Sequence, residues 1–364
     1  MSACDFVGPT TPRPARADWT IRPYQPGDER QLVGLFQTCF HRPITEAHWR
    51  WKLRGFDTSI DNVWVAEADG RIIGHYGGMP VRIWLSGQEH RAMVAVDSML
   101  HPGYQGRWVF MKLLRQAHQV WRSSGVTFWL GLPNENWGAA RKKRLGIQDV
   151  FSLNWKIRPF HIEHLLARRC QLPWPRSWTP LSAVWNRFWD GKRAIDRKIE
   201  LIPVTQVTPE FDALWQSARP HLRVSIIRDA NWVQWRFLAS PDRQYQVLLA
   251  ARSGTPVGYA AYRIEEQNSR LALLAELFVD PSCPQSYPGV LGATVRHFRQ
   301  LGVDAAVTLA IPQTSTARLL DQAGFRFGRG GSFGVSLLPL ADHLDQAVND
   351  PQAWWMGGGD FDVI

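Results

Sequence analysis

The sequence predicts a mixed α/β fold built twice in tandem. Three observations predict it. Through the first half, apolar residues follow a strand, helix and antiparallel-meander rhythm and then a β-α-β-α-β rhythm, the pattern of a mixed sheet with helices on both faces. The second half repeats matched residues at a fixed offset: Trp51-Lys52 and Trp235-Arg236 lie 184 positions apart, and so do Gly74 and Gly258. The length of 364 residues suits two domains of roughly 150 residues each.

The first unit opens with a short strand, Thr20 to Pro23. A Pro26-Gly27 turn leads into a helix whose apolar face carries Leu32, Leu35, Phe36 and Cys39, and Thr45 starts a second helix bearing Trp49, Trp51 and Leu53. Val63 to Ala66, a turn at Asp69-Gly70, and Ile72 to Tyr76 read as a β-hairpin. Strands follow at Val81 to Leu85 and Met93 to Leu100. A helix from about Trp108 to Arg122, a strand Thr127 to Leu130, a helix Trp137 to Leu145 and a strand Val150 to Trp155 complete it. Later, Leu145-Gly146-Ile147 is answered by Ala323-Gly324-Phe325.

The expected organisation is a lead-in over 1–18, a first domain over 19–160, a Trp-rich linker over 161–200, a second domain over 201–340 and a tail over 341–364. The linker carries a strip of Trp174, Trp178, Trp185 and Trp189, and from Leu181 onward Val184, Trp185, Phe188 and Trp189 share an apolar helical face, with Arg187, Asp190, Lys192 and Arg193 around and beyond it. That face either packs on the domains or lies on a membrane surface, where Trp and Arg both suit the headgroup zone.

Hydrophobic residues at 45% and charged residues at 20% mark a globular chain. No apolar run is long enough to span a bilayer and residues 1–19 lack a signal-peptide core, so a cytoplasmic protein is expected. Cys4, Cys39, Cys170 and Cys283 form no C-x-x-C pair, which excludes a disulfide framework and a zinc site; no metal is expected. A net charge of +10 points to anionic partners without choosing among a phosphorylated cofactor, nucleic acid and a membrane surface.

One segment carries chemistry. Val96-Asp97-Ser98-Met99-Leu100-His101-Pro102-Gly103-Tyr104-Gln105-Gly106-Arg107-Trp108-Val109-Phe110 passes from a strand through a turn into a helix. Backbone N–H groups at such a turn, with the helix dipole behind them, cradle an anion such as a pyrophosphate. The run resembles motif A of the GNAT superfamily of N-acyltransferases, and Gly131-Leu132-Pro133-Asn134-Glu135-Asn136 with Arg141-Lys142-Lys143-Arg144-Leu145-Gly146-Ile147 resembles its motif B. The resemblance covers about 19–155 well and about 207–338 weakly.

What the resemblance implies is acyl transfer from acetyl- or another acyl-coenzyme A to an amine, with nucleic acid not expected as a partner. Met99 and Leu100 at the strand's end would align the pantetheine. Gln105, Gly106, Arg107, Trp108, Val109 and Phe110 would hold the pyrophosphate, with Asn136 as a further contact. Trp108 and Phe110 stand where the pattern has Gly and Gly or Ala. The second half's counterpart, Leu277-Phe278-Val279-Asp280-Pro281-Ser282-Cys283-Pro284, has prolines where amides are needed, so it is expected to have lost the site.

Direct transfer needs a base for the amine and an acid for the thiolate. Asp97, inside the strand, is the leading base candidate; in an unbroken strand it faces with Met99, opposite Ser98 and Leu100, and a bulge would reverse that parity. Structural hydrogen bonding of the turn is the other reading of Asp97. Glu135 and His101 are alternatives, and His75 and Tyr76 line the acceptor cleft or simply pack. Lys142 occupies the slot where the family places its Tyr acid, and serves as acid, as phosphate contact, or as solvated surface. The acceptor class by analogy is an amino sugar or envelope precursor. An aminoacyl-tRNA-dependent transferase and a catalytically inactive binding module are the competing readings.

Overall fold

The computed structural model describes residues 18–106, 108–133, 137–162, 179–191, 198–267 and 269–361. The expected linker tryptophans Trp174 and Trp178 lie outside the described residues, as do Arg107, Glu135 and Asn136. The chain forms two compact units: one of residues 1–80 and 95–125, the other of residues 81–94 and 126–364. These do not coincide with the domain boundaries expected above. Two long strands, β3 (Arg71–Leu85) and β4 (Gln88–Leu100), run through both units.

In the first unit, β1 (Trp19–Pro23) pairs antiparallel with β2 (Val63–Ala68), and β2 pairs antiparallel with β3. The segments expected as separate strands at 72–76 and 81–85 are one strand, because Gly77, Gly78 and Pro80 all accept extended backbone. Helices α1 (Glu29–Phe40) and α2 (Glu46–Arg54) cover the sheet. The Thr45 hydroxyl caps α2 by accepting from the His48 amide at 3.0 Å. Leu32, Leu35, Phe36, Trp49, Leu53, Val63, Val65, Ile72 and Met99 form the core. Helix α3 (Val109–Ser123) lies against the hairpin at Gly74, where a Cβ would meet Leu113 at 3.0 Å and Leu100 at 3.3 Å.

In the second unit, β4 pairs parallel with β5 (Val126–Gly131) through Arg91 to Val94. After α4 (Ala139–Leu145), β6 (Gln148–Pro159) does not lie beside β5. Strand β13 (Arg326–Pro339), from far along the chain, pairs antiparallel with both. Beyond β6 come β12 (Ala305–Ala310), β11 (Leu271–Val279), β10 (Thr255–Glu265), β9 (Gln246–Arg252) and β7 (Ile199–Val204) in that order. Short strands β8 (Val224–Ile226) and β14 (Trp354–Trp355) pair with each other in parallel. Helix α5 (Thr179–Gly191) precedes β7, α6 (Pro209–Ala218) and α7 (Ala230–Val233) follow it, and α8 (Tyr287–Gln300) and α9 (Ser315–Gln322) flank β12 in sequence. Gly258 of β10 is also a close approach: a Cβ there would stand 2.4 Å from the Phe278 carbonyl oxygen.

The apolar face expected on α5 is split. Ser182, Asn186 and Trp189 are buried, while Val184 and Phe188 are 67% and 52% exposed. The inward face is set by polar work: Ser182 accepts from the Ile162 amide, Asn186 donates to the Phe160 carbonyl, and the Arg326 guanidinium lies 4.1 Å over the Trp189 ring. No described helix is long and apolar enough to cross a membrane.

Candidate active site

Asp97 departs from regular strand geometry. Its φ of 47° is left-handed, and the residues on either side that reach the first unit's core are Val96 and Met99, with Asp97 and Ser98 between them. This is the parity reversal of a β-bulge. Met99 is buried in that core, so its side chain is not available to a ligand and only its backbone could be.

The Asp97 carboxylate is not free. Oδ2 lies 2.5 Å from Nζ of Lys52, whose side chain is 1% exposed on α2. The Asp97 carbonyl is held as well, 2.8 Å from Nδ1 of the fully buried His75. A carbonyl only accepts, so Nδ1 carries the proton. Burial pushes the His75 pKa down, against the opposing pull of the Asp97 carbonyl bond and carboxylate charge. Nothing in the local sequence announces the Lys52 contact; the Trp51-Lys52 and Trp235-Arg236 repeat was its only trace.

Beyond the bulge, the His101 amide donates to the Ile73 carbonyl at 2.8 Å and closes the strand. A turn of 3-10 helix at Pro102–Tyr104 follows, and the His101 side chain accepts from the Gly103 amide at 3.2 Å. Gly106 has φ 76° with open space where a Cβ would be, and Trp108 has φ 63°. Trp108 is the residue before α3, and the first amide used inside that helix is Lys112, donating to Trp108 O at 3.0 Å. The amides just ahead of it, including that of Val109, have no acceptor within the helix and sit at its positive end.

The two bulky residues of the loop take different positions. Trp108 is 61% exposed, so it is not core. Its left-handed backbone shows a second reason why the family pattern has Gly there: the position demands positive φ as well as space. Phe110 turns back toward the sheet, its ring 5.7 Å from that of Tyr76 in an edge-to-face contact. Tyr76 stacks at 5.5 Å on Trp121, so it is packing and not a lining of open space. Gln105 is exposed, Val109 is fully buried and Leu100 is half-buried.

Lys142 lies in the second unit, on the short helix α4. Its ammonium donates to both carboxylate oxygens of Asp149 at 2.7 Å, and with burial opposing, these bonds and one from the Ser336 hydroxyl hold Asp149 below the usual carboxylate range. Asp97 and Lys142 therefore each have a partner of their own.

The counterpart loop after β11 is built differently. Its amides are used internally: Asp280 N donates to Val257 O, Ser282 N to the Asp280 carboxylate, Cys283 N to Asp280 O and Ser286 N to Cys283 O, all between 2.8 and 3.0 Å. No residue from 280 to 287 has positive φ. The space between β11, β12 and α8 is a cavity of about 30 Å³ bounded by Glu276, Tyr287, Thr308 and the Trp354 to Gly357 segment. That volume admits a water molecule and no pantetheine arm. Among the described residues no group of acidic, His and Cys side chains is placed to hold a metal ion.

Residues 20–142 match the family model of the acetyltransferase (GNAT) domain. Three solved structures share the fold: a GCN5-related N-acetyltransferase from Anabaena variabilis (13% identity, TM-score 0.66, 89% of this chain and 73% of that one), a probable N-acyltransferase from Enterococcus faecalis (10%, 0.62, 89% and 73%), and a GCN5-related N-acetyltransferase from Kribbella flavida (12%, 0.61, 88% and 71%). No curated protein sequence matches significantly. The loop between β4 and α3 lies wholly inside residues 20–142, the segment that is similar to the acetyltransferase (GNAT) domain.

Proposed function

We propose that the protein transfers an acyl group from acetyl- or another acyl-coenzyme A to an amine, and that the cofactor is held by the loop from Gln105 to Phe110. The observation that carries this reading is the pair of left-handed residues, Gly106 and Trp108, at the entry to α3, whose first-turn amides have no acceptor within the helix. Coenzyme A brings the acyl group as a thioester. The loop amides hold its phosphates, and the backbone of Met99 and Leu100 lies alongside the arm. The amine nitrogen attacks the thioester carbon, the C–S bond breaks, one proton leaves the nitrogen and one is taken by the sulfur.

Asp97, beside the Lys52 ammonium, is the proposed proton acceptor, and Lys142 the proposed donor to the thiolate. The acceptor proposed by analogy is an amino sugar or an envelope precursor. The second half is proposed to be a descendant of the same domain without a cofactor site, since its loop amides are consumed and the cavity beside β11 and β12 is of about 30 Å³.

Calorimetric titration of the full chain with acetyl-coenzyme A tests the reading. One molecule bound per chain is expected, with binding lost when Gly106 is replaced by Val, which strains the left-handed position and so redirects the loop. No heat and no protection of the Gln105 to Phe110 amides at millimolar acetyl-coenzyme A would sink it.

A further inference from the structure

The bulge at Asp97 is held from two directions, by Lys52 and by His75. Its carboxylate meets Lys52 at 2.5 Å and its carbonyl meets His75 Nδ1 at 2.8 Å. Lys52 and His75 are 1% and 0% exposed, so neither reaches a ligand directly. Their surroundings leave little freedom: the Lys52 ammonium also lies 5.8 Å from the Phe36 ring centroid, and the His75 ring is so close to β3 that a Cβ on Gly77 would stand 3.0 Å from its Nε2 and Cε1. A left-handed non-glycine residue costs free energy and persists only where its surroundings over-determine it.

We infer that Lys52 and His75 are positioning residues that clamp the β4 bulge and thereby fix the direction of the backbone from Ser98 to Leu100, the stretch proposed to lie along the thioester arm. The inference rests on the cofactor reading above for its functional part. The fixed stretch has two ends: the clamp at Asp97, and the His101 amide bonded to Ile73 O at 2.8 Å. Release of the first end lets three residues swing about the second. The phosphate loop begins only at Gln105, beyond the second end, and is left in place.

The separation of the two ends makes the inference testable. Lys52→Met leaves Asp97 as a buried unpaired charge and risks unfolding, so the double variant Lys52→Met/Asp97→Asn, which removes both charges, is made beside it. In the ligand-free full chain, amide hydrogen exchange of Ser98 to Leu100 is expected to speed up at least tenfold in the double variant, with the Val63 to Tyr76 hairpin unchanged. Lys52→Arg, which retains the charge, is expected to preserve wild-type exchange. Affinity is then compared for acetyl-coenzyme A and for adenosine 3′-phosphate 5′-diphosphate, its nucleotide half. The double variant is expected to lose roughly tenfold for the first and nothing for the second.

Unchanged exchange at Ser98 to Leu100 overturns the clamp. Equal losses for both ligands overturn its functional part, since that is what a general loosening of the domain produces. A wild-type chain that binds neither ligand fails the cofactor reading instead, and the exchange result still decides the clamp.

Discussion

The hydroxyl of Tyr76 on β3 sits 2.8 Å from Nε2 of His118 on α3, and Tyr262 on β10 sits 2.6 Å from Nε2 of His297 on α8. In each half, the second strand of a meander is tied by the same pair of groups to the helix that follows the third. Edge-to-face ring contacts accompany both bonds, at 5.5 and 5.4 Å.

Burial pushes His118 down to about 4 from an ordinary value of 6.5. The unfolded chain takes up a proton below pH 6.5 and the folded one does not until about pH 4, so stability is lost as pH falls through that window. By pH 5 the expected loss is about 2 kcal/mol, with His75, also depressed, adding in the same direction. Urea unfolding at pH 7 and pH 5 measures it, and His118→Gln is expected to shrink the difference. An unchanged difference in the variant would mean that the histidine is protonated in the fold.

Trp108→Gly removes an exposed indole from a left-handed position. Little buried area is lost, because the side chain is 61% exposed, and the backbone strain at φ 63° is relieved. A gain of about 1 kcal/mol in unfolding free energy is expected. A loss of about 3 kcal/mol, the size of a deleted core aromatic, would place the indole in the core instead.

What could be read in advance divides along the range of the interactions. Strand-turn-helix at Val96 to Phe110 was legible because turn residues and apolar period are local. Gly74 and Gly258 were legible as a repeat, and the close approaches they permit explain it. The pairing of β13 with β5 and β6 was not, since nothing near Phe128 specifies a partner two hundred positions away. Nor was the bulge: a single left-handed Asp leaves no mark on hydropathy, yet it decides that Asp97 and Met99 do not share a face. On α5, the polar Ser182 and Asn186 face in to satisfy the backbone just after β6, a role that the apolar period does not mark.

The two proposed proton carriers sit in ion pairs of different worth. Asp97→Asn strips the partner from a buried lysine and is expected to destabilise by about 3 kcal/mol or more. Lys142→Ala breaks a pair whose Asp149 side chain is 60% exposed, and is expected to cost less than about 1 kcal/mol. Turnover of the Lys142 variant is therefore readable directly. A fall of roughly 10²-fold with cofactor affinity retained marks an acid, and a loss of affinity alone marks a phosphate contact. The Asp97 variant has to be assayed at a temperature where it is folded, and an Asp97→Asn protein as stable as wild type would remove the buried pair from the account.

Around Arg228, two carboxylates share one guanidinium. Arg228 donates to both oxygens of Asp360 at 2.8 Å and to Glu276 at 3.1 Å, with all three side chains at or below 1% exposure. Burial, with Asp360 adding its repulsion, pushes Glu276 up to about 7 from 4.5, against the pull of Arg228. A carboxyl raised in the fold contributes stability that is complete below pH 4.5 and is lost as pH rises through about 7. Melting of the chain is therefore expected to weaken between pH 5 and pH 8 from this source. Glu276→Gln keeps the shape, leaves Arg228 with its two bonds to Asp360, and removes the titration, so its melting temperature is expected to exceed that of wild type at pH 8 and to approach it at pH 5. Asp360→Asn acts on a different part of the same cluster. It weakens the hold of Arg228 on the segment after β14, which keeps the bonds from Arg236 to the Gly359 and Phe361 carbonyls, and limited proteolysis should cut there first. Parallel pH profiles for Glu276→Gln and wild type would show that Glu276 is ionised in the fold throughout, and that Arg228 outweighs the burial.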